Sequence, residues 1–107
     1  MISIADFQKI ELVAGKVKQA EPHPNADKLV VLKVDLGEAE DRTIVVGVRG
    51  HYQPDELVGK TVVVVANLQP VKLRGVESRG MLLAAQSGPD VVLVSLDKEV
   101  KPGSKVL

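Results

Sequence analysis

Residues 67 to 81 read NLQPVKLRGVESRGM, which sets Lys72, Arg74 and Arg79 close together around a single acid, Glu77. Cations gathered on a segment broken by Pro70, Gly75 and Gly80 have one obvious use, to hold an anion such as a phosphate. Asn67 carries a donor and an acceptor on one amide, suited either to a phosphate or ribose hydroxyl or to closing a turn. Ser78 offers a small hydroxyl to a sugar or phosphate, or to the local backbone. Met81 could present a soft apolar surface to a base, although a Met in such a pattern more often sits in a core. Lys28, Lys33 and Arg42 would enlarge the cluster if the fold brings them to it. Each of these side chains, taken alone, is equally at home as a solvated surface group. The elements that position them must decide.

Those elements are mostly short strands. A first helix of about two turns is expected from Ser3, with Asp6 in its first turn where the helix dipole favours an acid. Glu11 to Ala20 alternates as a strand, and Gly15 inside it predicts a bend or bulge. EPHPNAD, residues 21 to 27, is a loop by its prolines, Asn and Asp. Leu29 to Leu36 alternates again, with Val30, Leu32, Val34 and Leu36 on one face. Arg42 to Val48 is a third strand. Pro54, Asp55 and Glu56, closed by Gly59, mark a short helix. Thr61 to Ala66 is apolar throughout, as a strand buried on both faces would be. Asn67 to Ser78 then forms a loop, Gly80 to Ala85 a fifth strand, and Val91 to Leu96 a shorter one before a tail with a Pro-Gly turn.

Five principal strands with a helix between the third and fourth predict an all-β OB-fold, a five-stranded Greek-key barrel that is partly open. Residues 1–107 read as one domain. In that architecture, oligonucleotides and sugars are gripped by the face of strands 2 and 3 and by the loops joining strands 1–2 and 4–5. Here these loops are Glu21–Lys28 and Asn67–Ser78, so the cations fall on the expected ligand side.

Composition narrows the ligand. Lys+Arg and Asp+Glu balance at 14 each, so no global field draws in a polyanion and any nucleic-acid site is a local patch. Only Phe7 and Tyr52 are aromatic, too few for a platform that stacks successive bases. Recognition through backbone and shape is expected instead, which favours folded RNA over loose single strands. His23 and His51 have no Cys or clear acid partner, so no metal site is expected. No ordered triad, carboxylate pair or phosphate-binding glycine loop is present, so neither catalysis nor a cofactor is expected. The absence of Cys suits a reducing cytoplasm, and no membrane segment or signal peptide is expected.

The blocks ADFQKIEL, HPNADKL, VDLGE, PDELVGKTVVVVANLQPVKLRGVESRGMLLAA and VKPGSKV resemble the tRNA-binding domain family over nearly the whole chain. That family includes the C-terminal appendage of bacterial methionyl-tRNA synthetases and small stand-alone tRNA-binding proteins. The resemblance implies a non-catalytic OB-fold that binds tRNA largely without regard to its identity. It further implies a homodimer, acting in trans or alongside an aminoacyl-tRNA synthetase. By position it implies roles for Lys28, Asn67, Lys72, Arg74, Ser78 and Met81. Val13 stands where many members carry Arg, and Arg79 where relatives often have Gln. A sister branch acts as an export-related, peptide-binding chaperone, but lacks the ADKL and LRGVES wording kept here. A protein–protein docking module is a further alternative.

Overall fold

A computed structural model describes all residues, 1–107. A one-turn helix α1 (Ile4–Phe7) precedes the long strand β1 (Leu12–Pro22), followed by β2 (Val30–Asp35) and β3 (Arg42–Val46). Helix α2 (Pro54–Leu57) leads to β4 (Thr61–Val65). Short strands complete the chain: β5 (Val71–Leu73), β6 (Val76–Ser78), β7 (Met81–Leu82), β8 (Ala84–Ser87), β9 (Asp90–Leu93) and β10 (Lys105–Val106). The main antiparallel sheet runs β3-β2-β1-β4-β7, with β10 added to β1, while β5-β6 and β8-β9 form separate two-stranded pairs. This is the OB-fold, a nearly closed barrel with α2 between the third and fourth principal strands.

The barrel closes by a few bonds between β3 and the chain entering β7. The Arg79 N–H donates to the Thr43 carbonyl at 2.9 Å, and the Val45 N–H donates to Ser78 Oγ at 2.9 Å. Alternation in β2 sends Val30, Leu32 and Val34 into a core shared with Val17, Ile44, Val62, Val64 and Leu57. Val62 to Val65 are all buried, so β4 is covered on both faces. Helix α2 starts at Pro54, whose missing N–H costs nothing there, and Glu56 Oε1 accepts the Gln53 N–H at 2.8 Å. It buries Leu57 completely within the core cluster.

Several local expectations are corrected. Helix α1 makes one turn rather than two, though Ser3 Oγ does cap it by accepting the Asp6 N–H at 3.1 Å. None of its residues is buried, and past Phe7 the chain continues only through tighter i→i+3 bonds, the Lys9 N–H to the Asp6 carbonyl and the Ile10 N–H to the Phe7 carbonyl. The break in β1 falls between Val17 and Gln19, not at Gly15. Gly15 instead permits close approach, since a Cβ there would lie 2.7 Å from both Leu36 Cδ2 and Val34 Cγ1. The expected loop 67–78 contains the β5–β6 hairpin, and the expected fifth strand is cut after Leu82. Beyond that cut the chain turns away to pair β8 with β9. Tyr52, one of the two aromatic residues, packs against the core: its hydroxyl accepts the Leu93 N–H at 3.1 Å, and Lys60 Nζ lies over its ring.

Candidate nucleic-acid interface

The β5–β6 hairpin carries the central cations. Its turn is Arg74-Gly75, with both residues at positive φ (53° and 92°), as a tight two-residue hairpin turn requires. Arg74 is the only non-glycine residue at positive φ in the molecule. Asn, Asp or Gly would take this position with less strain, so an Arg here is a local structural cost. Arg74 Nε donates to the Asn25 carbonyl at 3.3 Å, in the loop after β1. Lys72 stands opposite Glu77 across the hairpin, yet the two form no ion pair.

That neighbouring loop, His23 to Leu29, begins two residues later than expected because β1 runs on to Pro22. It is closed by the His23 N–H donating to the Leu29 carbonyl at 3.0 Å, and it exposes Lys28. Arg49, which no motif or spacing singles out, sits beside it. Its Nη1 donates to the Ala26 carbonyl at 3.4 Å and its N–H to the Lys28 carbonyl at 3.4 Å. Between loop and hairpin lies an open hollow lined by Glu21, Val31, Lys33, Thr43, Glu77 and Arg79. Lys33 Nζ is steadied by Thr43 Oγ1 at 2.6 Å. Lys28, Lys33, Lys72, Arg74 and Arg79 are all exposed, and none has an acid within ion-pair distance.

The other singled-out residues are placed differently. Arg42 is committed to the fold: Nη1 donates to the Ala66 carbonyl at 2.6 Å, while Nε and Nη2 fork onto the Glu38 carboxylate at 2.9 Å. That fork holds the Glu38 carboxyl below its ordinary value and the Arg42 guanidinium above its own. Partial desolvation opposes both shifts. Asn67 spends both ends of its amide on the segment before β1, accepting from the Glu11 N–H at 2.9 Å and donating to the Lys9 carbonyl at 2.7 Å. Ser78 is buried at the barrel seam, where it also donates to the Gly80 carbonyl at 3.2 Å. Met81, contrary to the habit of its type, is half-exposed over a shallow apolar hollow that includes Val45, Val48, Ala84 and Leu93. No three His, Asp or Glu side chains converge as a metal site would need, and no helix is long and apolar enough to cross a membrane.

An OB-fold with free cations on its two ligand loops defines a class, and the family comparison agrees. Residues 12–105 match the model described as "Putative tRNA binding domain", and the chain belongs to that family, a binding rather than a catalytic domain. Among individual proteins, the chain is 57% identical over 105 residues to the methionine–tRNA ligase of Pyrococcus furiosus. It is 55% identical to that of Thermotoga maritima. These matches cover 98% of this chain but only 14% and 16% of the ligases, so the chain spans about a seventh of these relatives. In structure it resembles a methionyl-tRNA-synthetase-related protein of Pyrococcus horikoshii (TM-score 0.92, 40% identity), covering 100% of this chain and 98% of that one. It also resembles the chaperone CsaA of Bacillus anthracis (TM-score 0.90, 29% identity), with 100% and 99% covered.

Proposed function

We propose that the chain binds folded tRNA in the cytoplasm, largely irrespective of its identity, as a homodimer. It would act in trans or as an appendage of a methionyl-tRNA synthetase, with residues 1–107 serving as one domain. The observation that carries this reading is the set of five unpaired cations, Lys28, Lys33, Lys72, Arg74 and Arg79, on two loops and the strand face between them. Their length and spread suit phosphates, which position a nucleic acid without reading its sequence. The same face carries no aromatic ring, since Tyr52 is bonded into the core and Phe7 lies on α1. Stacked single-strand bases are thereby disfavoured, and fixed phosphate geometry with 2′-hydroxyls is favoured. Arg42, Asn67 and Ser78 serve this site by shaping it, while Met81 borders it as apolar surface.

Dimerisation is supported by a helix with no fully buried residue in its own chain. Ile4, Phe7, Ile10 and Leu107 are exposed together around one hollow that Val106 also lines. Contiguous apolar surface of this kind suits a second copy. Two copies would present two cation patches to one RNA, and avidity would offset the neutral net charge.

The test is tRNA affinity against salt concentration for wild type and for Lys72→Ala/Arg74→Ala. Losing two phosphate contacts should flatten the log–log slope by roughly 1.5. A wild-type slope near zero, or one unchanged by the double substitution, would overturn the reading. Suppression of client aggregation without tRNA binding would favour a chaperone instead. Ribonuclease-resistant capture of a synthetase, again without tRNA binding, would favour a docking module.

A further inference from the structure

The cation-bearing hairpin does not hold itself in place. β5 and β6 contribute three residues each and belong to no larger sheet. An isolated two-stranded pair of that length is marginal at best. Its base is fastened to β3 through Ser78 Oγ and the Val45 N–H. Its far end is reached by one buried side chain from the opposite loop, His23. That imidazole is 2% exposed although it sits in a loop between two prolines. His23 Nδ1 accepts the Asn25 N–H at 2.9 Å, so the ring proton belongs on Nε2, which donates to the Leu73 carbonyl at 2.9 Å. Leu73 immediately precedes Arg74. The ring therefore has one nitrogen on each loop. The only other hydrogen bond between them is the longer, exposed one from Arg74 to Asn25.

We propose that His23 is a positioning residue for RNA binding: its neutral ring bridges the loop bearing Lys28 to the hairpin bearing Lys72 and Arg74, so that cations from both meet one phosphate backbone in fixed register. The proposal rests on the tRNA reading above. Without the bridge every cation is still present, but the hairpin samples geometries that do not fit. Apparent affinity then falls by the fraction of time the fitting geometry is lost.

Two conservative substitutions separate the ring's halves. Gln at 23 can reach Leu73 with a donor but offers Asn25 no acceptor in the place of Nδ1. Asn keeps an acceptor near Asn25 but falls short of Leu73. For wild type, His23→Gln and His23→Asn, amide hydrogen exchange over residues 71–78 is measured alongside tRNA affinity across salt. In His23→Asn, hairpin exchange should quicken and affinity should weaken, each about tenfold, with the salt slope unchanged because no cation is lost. His23→Gln should stay within about threefold of wild type on both. Hairpin protection equal in His23→Asn and wild type would overturn the bridge. A loosened hairpin with unchanged affinity would overturn the positioning role. If wild type shows no salt-dependent tRNA affinity, the tRNA reading fails and the positioning role fails with it, while exchange alone decides whether the bridge exists.

Discussion

The hydroxyl of Ser78 accepts the Val45 N–H at 2.9 Å at the seam where the barrel closes, in place of a backbone carbonyl. A side chain therefore completes the sheet where β3 and the incoming chain are not regularly paired. Ser78→Ala leaves a buried N–H without a partner, and stability should fall by about 1–3 kcal/mol. The denaturant midpoint should move while the m-value stays constant, since the surface exposed on unfolding is unchanged. An unmoved midpoint would show that the seam finds another acceptor.

Arg74 sets stability against binding. Replacing it with Asn, which accepts positive φ more readily, should stabilise the chain by roughly 0.5–1 kcal/mol through relief of the turn. The same change removes a cation and should lower the salt slope of tRNA binding by roughly 0.7–0.9. Thermal unfolding and a binding titration should thus move in opposite directions for one substitution. Joint loss of both would mean the Arg74 side chain matters more to the fold than its turn geometry implies.

Acid should weaken the clasp between Glu38 and Arg42. The bonded guanidinium lowers the Glu38 pKa in the native state relative to the unfolded chain. Its stabilising contribution is therefore present above the ordinary carboxylate range and lost as pH falls through the depressed native value. Because the Glu38 side chain is about half-exposed, the effect is expected to stay below about 1 kcal/mol. Glu38→Gln should be slightly less stable than wild type at neutral pH, and the difference should vanish on acidification. A difference constant with pH would assign it to packing.

The apolar surface around α1 offers a clean separation of assembly from folding. Ile4→Asp/Phe7→Asp should yield a monomer by sedimentation or light scattering. The variant should still unfold cooperatively, at a melting temperature that no longer depends on protein concentration, because no residue of α1 is fully buried within its own chain. A wild-type protein already monomeric at high concentration would remove the basis for avidity.

Much of this architecture is legible in the residues. Alternation marks β2, the unbroken apolar run marks the doubly covered β4, and Pro54 with its following acids marks α2, because each signal is local. The cation patch is legible for the same reason, since Lys72, Arg74 and Arg79 lie close in sequence. The hairpin inside the loop is hidden because Arg-Gly is not the dipeptide that advertises a tight turn. His23 is hidden more deeply. A histidine flanked by prolines has every local mark of a solvated loop residue, and its carbonyl partner on Leu73 is fifty residues away. Arg49 is obscured in the same way, by contacts to Ala26 and Lys28 that no spacing rule connects. For Asn67 and Ser78 residue type is ambiguous by nature, and only the distances show both engaged in the fold.

Strand β1 pairs Leu12 with Val106 at one end, and at the other, eleven residues on, it passes into His23. At about 3.3 Å per residue its contour is roughly 35 Å. Anything tethered to either terminus therefore attaches at the end of this strand remote from the bridged loops. If RNA docks at the bridged loops as proposed, the same barrel could be carried by a larger chain from either terminus without the cargo obstructing that approach.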